Sequence, residues 1–412
     1  MKAMVIVHAH PDFSVGGAEI AAYNLFRTLK ARSGFGESIF LARSDLASQG
    51  HGSIMLRRPG EYLWCQDVGD WFRLCAQNPM AVMNAFREFL RTERPDVVFL
   101  HHYVHIGVEV LREIKLTLPD CVLIVTLHEY FAICNRQGQM VKNNTRKLCY
   151  RESLEDCSNC FPERTPQDFW LRKHYIQKHF EFADAFVSPS EFLRKRYIEW
   201  GIPAEHIVVI ENGQPESPAP PVKDGAANPA RARIRFGFFG QITEYKGVEI
   251  LLQAVHVVPA ELRTRIAVEV HGANLEWQTQ AFQELIETLR KPLIVEGSLR
   301  WVGPYEQAEL AQRMTKVDWV VVPSIWWENS PLVIQEAFVN GKPVICAGIG
   351  GMAEKVRDGV DGLHFEVRNP LDLADVLIRA VLEPGLCDRL RGNIRKPLTL
   401  EECADAYLAL AA

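Results

Sequence analysis

Several things are missing from this chain, and each absence excludes a class of protein. No apolar run reaches the roughly 18 residues needed to cross a bilayer, which argues against an integral membrane protein. Positive charge is not in excess: 46 Lys and Arg stand against 51 Asp and Glu, a formal charge of −5. A globally basic nucleic-acid binder is thereby excluded, although local basic patches stay open. The first strand-like run is not followed by G-x-G-x-x-G, so a dehydrogenase-type dinucleotide fingerprint is lacking. No internal repeat at a solenoid period is visible. The opening residues, Met1-Lys-Ala-Met-Val-Ile-Val-His8, turn polar too early for a signal peptide. With that reading, the ten cysteines are expected as reduced thiols in a cytoplasmic protein rather than as a disulfide framework. The sequon Asn143-Asn-Thr145 would go unused there.

What is present is an ordinary globular composition, 48% apolar and 24% charged over 412 residues, enough for two domains of about 200 residues each. Short apolar runs alternate with helical patterns, which predicts parallel β/α layers. In the first half the strand-like runs are 3–8, 38–42, 96–101, 121–127, 185–188 and 207–211, with helical patterns at 18–30, 79–92 and 190–200. A second series starts at Ile234 and continues through 266–271, 299–302, 318–323, 343–347 and 362–366. Between the halves, residues 212–229 carry five prolines and two glycines, the composition of a linker. The expected division is a first domain over 1–213, a linker over 214–231, a second domain over 232–397 and a C-terminal helix over 398–412. Two doubly wound α/β domains facing a central cleft are the expected architecture, because such sheets bind ligands at the carboxyl ends of their strands.

The most informative stretch is Pro323-Ser-Ile-Trp-Trp-Glu328-Asn329-Ser330-Pro331-Leu-Val-Ile-Gln-Glu336, closed by Gly341-Lys-Pro-Val. The run Trp319–Val322 reads as a buried strand. Ser330 reads as an N-cap with Pro331 at the first helical position, and Gly341 as the stop. Glu328 then lies on the loop before the helix, and Glu336 lies inside it, roughly 8 Å along the axis from the cap. A helix N-terminus offers N–H groups and positive potential to phosphates, while carboxylates accept bonds from sugar hydroxyls. A nucleotide sugar has that shape. Two solvated helix charges are the bland alternative.

This E-x7-E segment resembles that of retaining glycosyltransferases with the GT-B fold, family four, also called the group one glycosyl transferases. The resemblance covers almost the whole chain. It implies that Glu328 contacts the donor sugar and Glu336 the ribose, with Asn329, Ser330 and the amides of Leu332 and Val333 lining the phosphates, since Pro331 has no N–H to offer. It implies donor-phosphate contacts at Gly16 and Gly17, and at Gln241 and Lys246 in Gly240-Gln-Ile-Thr-Glu-Tyr-Lys246. Gln241 stands where family members carry arginine and brings neither charge nor a bidentate fork. His128, where the run Val122–Val125 ends, resembles the family's histidine beside the reaction centre and is expected to bond donor sugar or acceptor. His8 and His10, two apart, read as structural or cleft-lining rather than a metal pair. In that fold the last helix crosses back to the first domain, a role that 398–411 could fill; a plain helix on the second domain is the alternative.

The resemblance further implies a UDP- or GDP-linked sugar donor and a glycan or lipid-linked acceptor, in surface polysaccharide assembly. No Asp-x-Asp occurs at a strand end, so no catalytic cofactor is expected. Two rivals stay open: a nucleotide-sugar epimerase of the same fold, and a catalytically silent binding subunit. Cys134, Cys149, Cys157 and Cys160 occupy the loop after His128 with a final Cys-x-x-Cys, a spacing that structural zinc uses; four unlinked thiols are the alternative. Finally, Asp168 to Phe180 mixes aromatic and basic residues, including Arg172 and Lys173, at helical spacing. That pattern suits either peripheral docking on the inner membrane face or a helix packed on its own domain.

Overall fold

The computed structural model describes residues 1–14, 16–45, 50–216 and 233–411. They form two units, Met1–Gly213 with Leu398–Ala412, and Gln214–Pro397. The expected linker 214–231 lies, from residue 217 onward, outside the described residues.

In the first unit β1 (Ala3–Val7), α1 (Gly17–Ala31), β2 (Ile39–Ser44), β3 (Ile54–Arg58), β4 (Glu61–Cys65), β5 (Val68–Asp70) and β6 (Cys75–Ala76) come first. They are followed by α2 (Pro79–Glu93), β7 (Val97–Leu100), α3 (Glu109–Thr117), β8 (Val122–Thr126), α4 (Leu154–Cys160) and α5 (Pro166–Phe180). Next are β9 (Ala185–Ser188), α6 (Glu191–Trp200) and β10 (Ile207–Val209). The main sheet runs β10-β9-β8-β7-β1-β2-β4-β3, parallel except for the β3–β4 pair. From β1 the chain winds outward to β2, and later returns to β7 on the other side. The order therefore reverses between β1 and β7, and the crevice of a doubly wound sheet opens there.

The six strands predicted for this half are present. The short β3 to β6 were not predicted. β3 is half-buried at Ile54 and Met55 and exposed from Leu56 to Arg58, so no apolar alternation marks it. It is held by pairing with β4, which is a tertiary effect.

The second unit contains β11 (Ile234–Phe239), α7 (Val248–Val257), α8 (Ala260–Arg263), β12 (Ile266–His271), α9 (Gln280–Val295) and β13 (Leu299–Gly303). It continues with α10 (Leu310–Met314), β14 (Trp319–Val322), α11 (Leu332–Val339), β15 (Val344–Ala347) and α12 (Gly350–Lys355). It ends with β16 (Gly362–Phe365), α13 (Pro370–Leu382) and α14 (Leu386–Arg391). Its sheet is wholly parallel in the order β13-β12-β11-β14-β15-β16, reversing between β11 and β14. All six strands of this half were legible as apolar runs, because strands covered on both faces read as continuous Val, Ile and Phe. Their side chains, with Leu251, Ile334, Phe338 and Leu377 of the covering helices, make one buried core.

The last helix, α15 (Leu400–Leu410), starts in a capping box between Thr399 and Glu402. It belongs to the first unit. Ala404 and Tyr407 join the core formed by Val5, Phe26 and Phe99, and Arg32 at the end of α1 bonds Asp405 at 2.6 Å and the carboxylate of Glu401. Gly213 permits the close approach, since a Cβ there would stand 2.8 Å from that of Cys403.

Candidate functional site

In the second unit the reversal point gathers the loops that follow β11 and β14. Gly247 docks the first onto the second. Its φ is +68°, and a Cβ would fall 1.9 Å from the Pro323 carbonyl oxygen. That contact delivers Lys246 to Glu328, with Nζ 2.6 Å from Oε1. The same oxygen accepts from the Ser324 hydroxyl at 2.8 Å and from the Trp326 indole at 3.0 Å. Glu328 is buried, so these charge-assisted bonds fix the carboxylate while Oε2 takes none of the three. Behind it, Gly351 donates its N–H to the Glu328 carbonyl at 2.8 Å. A Cβ at Gly351 would lie 1.6 Å from the Asn329 oxygen. Gly351→Val should therefore displace the Glu328 loop and abolish nucleotide binding measured by calorimetry; unchanged binding would show that this loop does not form the site.

Glu336 lies in the second turn of α11. Its Oε1 accepts from Gln307 Nε2 at 2.7 Å, and burial raises its pKa above the usual carboxylate range. The N–H groups of Leu332 and Val333 stand in the first turn, where no helical carbonyl can reach them. The cap differs from expectation. Pro331, extended at ψ 118°, is itself the N-cap, no side chain caps the helix, and the buried Ser330 hydroxyl has no hydrogen-bond partner among the described residues. Ser330 thus sits one residue too early to reach the first-turn amides. Gln241 is exposed on the loop after β11, and Asn329 adjoins Glu328.

In the first unit the reversal between β1 and β7 collects histidines. His8 follows β1, His101 and His102 follow β7, and His128 follows β8. His101 Nδ1 lies 3.1 Å from His128 Nε2, and the His8 and His102 rings are 4.3 Å apart. Burial drives the His101 and His102 pKa values well below that of a free imidazole and that of His128 down to about 3, so these rings are neutral. Burial likewise pushes Glu129, beside His102, up to about 8. Gly16 and Gly17 open α1 without a side-chain cap. Glu19 in its first turn lies 3.3 Å from His8; burial alone would raise its pKa, but the bond and charge of His8 outweigh this and hold it low. His10 turns away to Glu61, 3.0 Å distant. The sequence pointed to His128, Gly16 and Gly17. It gave no sign of His101, His102 or Glu19, which only the parallel register assembles.

The loop after β8 and the helix α5 bear on two further expectations. Among the described residues, no group of three or more His, Cys, Asp or Glu is placed to hold a metal ion. Cys134, Cys149, Cys157 and Cys160 are free thiols in this structure. Cys157 and Cys160 sit within α4, not in a knuckle turn, and burial raises the Cys157 thiol to about 12. The chain entering this loop is held from beneath by Arg172. Only 1% exposed, Arg172 donates to the carbonyls of Phe72 at 2.7 Å, Ala132 at 2.5 Å and Phe131. It cannot meet a lipid surface, and Lys173 is paired with Glu152. Phe169, Ile176 and Phe180 point into the core while Trp170 is exposed. Among the described residues no helix is long and apolar enough to cross a membrane.

Comparison with known proteins agrees with this geometry. Residues 15–215 match the Glycosyltransferase Family 4 domain and residues 226–397 the Glycosyl transferases group 1 domain. A D-inositol 3-phosphate glycosyltransferase of Nocardioides sp. is 36% identical over 166 residues, 37% of this chain and 35% of the relative. The curated relatives are matched over about a third to a half of their own length. Among solved structures, Anabaena HepE in complex with UDP superposes with a TM-score of 0.67 at 17% identity, covering 99% of both chains. The sucrose-phosphate synthase of Thermosynechococcus elongatus gives 0.69 at 18% identity, over 100% of this chain and 96% of that one. Two sheets, one wholly and one mainly parallel, that reverse at Lys246–Glu328 and at the histidine array, with both domain matches, assign the chain to the group 1 glycosyl transferases of GT-B fold.

Proposed function

We propose that the chain transfers a sugar from a nucleotide-sugar donor to a hydroxyl of a glycan or lipid-linked acceptor, with retention of anomeric configuration and without a catalytic metal. The observation that carries the reading is Glu328, buried at the sheet reversal, with Lys246, Ser324 and Trp326 converging on one oxygen, eight residues before Glu336. The open Oε2 can accept a sugar hydroxyl. As the glycosidic bond breaks, negative charge gathers on the leaving diphosphate, which Lys246 and the Leu332 and Val333 amides can meet. Such stabilisation acts where charge develops. Glu336 is left to bind ribose hydroxyls. UDP and UDP-glucose, bound by Anabaena HepE, are the first donors to try.

The test is product analysis by NMR after incubation with nucleotide sugars, with and without sugar and polyprenyl-phosphate acceptors, in the presence and absence of a chelator. Transfer that needs acceptor, keeps the anomeric configuration and survives chelation supports the reading. Turnover without acceptor would make the chain an epimerase, and binding without turnover a silent subunit. Glu336→Ala should weaken nucleotide binding by about 1.5–3 kcal/mol, the worth of hydrogen bonds to a charged acceptor. Calorimetry with the free nucleotide checks this, and unchanged affinity would remove Glu336 from the ribose site.

A further inference from the structure

His128 does not stand alone at the end of β8. Its Nε2 meets Nδ1 of His101, a ring only 1% exposed. Tyr407 of α15 stacks on the His101 ring, with centroids 5.8 Å apart and planes inclined at 19°. The Tyr407 hydroxyl lies 3.0 Å from that of Thr126, the last residue of β8, 281 residues away in the chain. His101 and Tyr407 also line a cavity of about 10 Å³ with Asn24 and Asn212, room for a single water. His101 Nε2 is buried and without a hydrogen-bond partner among the described residues, so a water there would satisfy it.

We propose that His101, clamped by Tyr407 of the C-terminal helix, is a positioning residue that fixes the tautomer and ring orientation of His128. This rests on the glycosyl-transfer reading, in which His128 bonds donor or acceptor. The chemistry follows from the short contact. Two neutral imidazoles at hydrogen-bond distance share one proton between the facing nitrogens, so the protonation of His101 dictates which nitrogen of His128 carries its hydrogen. Burial keeps both rings neutral. The stacked Tyr407 ring prevents His101 from flipping. In this way the last helix of the chain, remote in sequence, decides whether His128 offers a substrate an N–H or a lone pair.

Two substitutions separate this role from simple packing. An asparagine amide falls where Nδ1 of a histidine lies, whereas a glutamine amide falls near Nε2. His101→Asn should preserve the His128 tautomer, read by long-range ¹H–¹⁵N NMR with the signal assigned through His128→Ala, and should keep kcat within about threefold. His101→Gln should mix or invert the tautomer and lower kcat at least about tenfold, with the KM for nucleotide sugar nearly unchanged, because a wrong tautomer impairs chemistry and not binding. Tyr407→Leu should mix the tautomer in the same way. Equal behaviour of the Asn and Gln variants in both readouts, or a parent-like tautomer in His101→Gln, would overturn the proposal. The tautomer readout needs no turnover. A parent enzyme inactive with every donor would refute glycosyl transfer without touching the positioning result.

Discussion

Glu328→Gln should lower kcat by about 10²–10³, the usual cost of removing one preorganised electrostatic group from a site, while nucleotide affinity stays within a few-fold. The glutamine is isosteric, and its carbonyl can still accept from Ser324 and Trp326. What it loses is the charge that pairs with Lys246 at 2.6 Å and that, in the proposed reaction, would strengthen a bond to the sugar as positive charge builds on the ring. The nucleotide contacts proposed for Glu336 and the first turn of α11 would be untouched, so KM and kcat should separate. Steady-state kinetics and calorimetry on the same preparation decide it. An unchanged kcat, or a large loss of nucleotide affinity, would remove Glu328 from the reacting end of the donor.

Arg172→Met should destabilise the first unit by about 3–5 kcal/mol, the range for removing one member of a buried charged network. Three carbonyls, on Phe72, Phe131 and Ala132, lose the charged donor that Arg172 supplies, and each buried orphan costs about 1–3 kcal/mol before relaxation. For a unit of this size the thermal midpoint should fall by roughly 10 °C. The loop from Cys134 to Cys160 should become the first site of proteolytic nicking, since two of those carbonyls immediately precede it. A melting curve and limited proteolysis are the measurements, and a midpoint within about 2 °C of the parent would show that the loop is held by something else. Burial also explains the low apolar signature of α5: its central cation is on the inward face.

These two residues were unequally legible. Glu328 belongs to a strand, turn and helix contiguous in sequence. Buried apolar residues, a proline and a closing glycine mark each boundary, so the loop position of Glu328 and the helical position of Glu336 follow from local rules. The cap was misplaced by one residue: Pro331, extended at ψ 118°, is the N-cap and the helix starts at Leu332. The buried role of Arg172 was hidden because nothing within the helix reveals three carbonyls supplied from 40, 41 and 100 residues away. The helical placement of the cysteines was hidden for a related reason. A Cys-x-x-Cys is compatible with a knuckle or with one helical turn, and Ser153, whose side chain accepts the Asp156 N–H, caps the helix here.

By itself, then, the chain of residues determined the alternation of strands and helices, the two-domain α/β class, and two separate segments, one bearing Glu328 and Glu336 and the other Lys246. Each depends on periodicity or on capping within one β/α unit. The histidine array did not follow from sequence, because His8, His101, His102 and His128 meet only when β1, β7 and β8 align in parallel register. The union of α15 with the first unit was equally undetermined, since an amphipathic helix can cover either sheet. Tertiary packing settled it through Arg32, Gly213 and Tyr407, where complementary charge, a missing Cβ and a buried hydroxyl accept that helix.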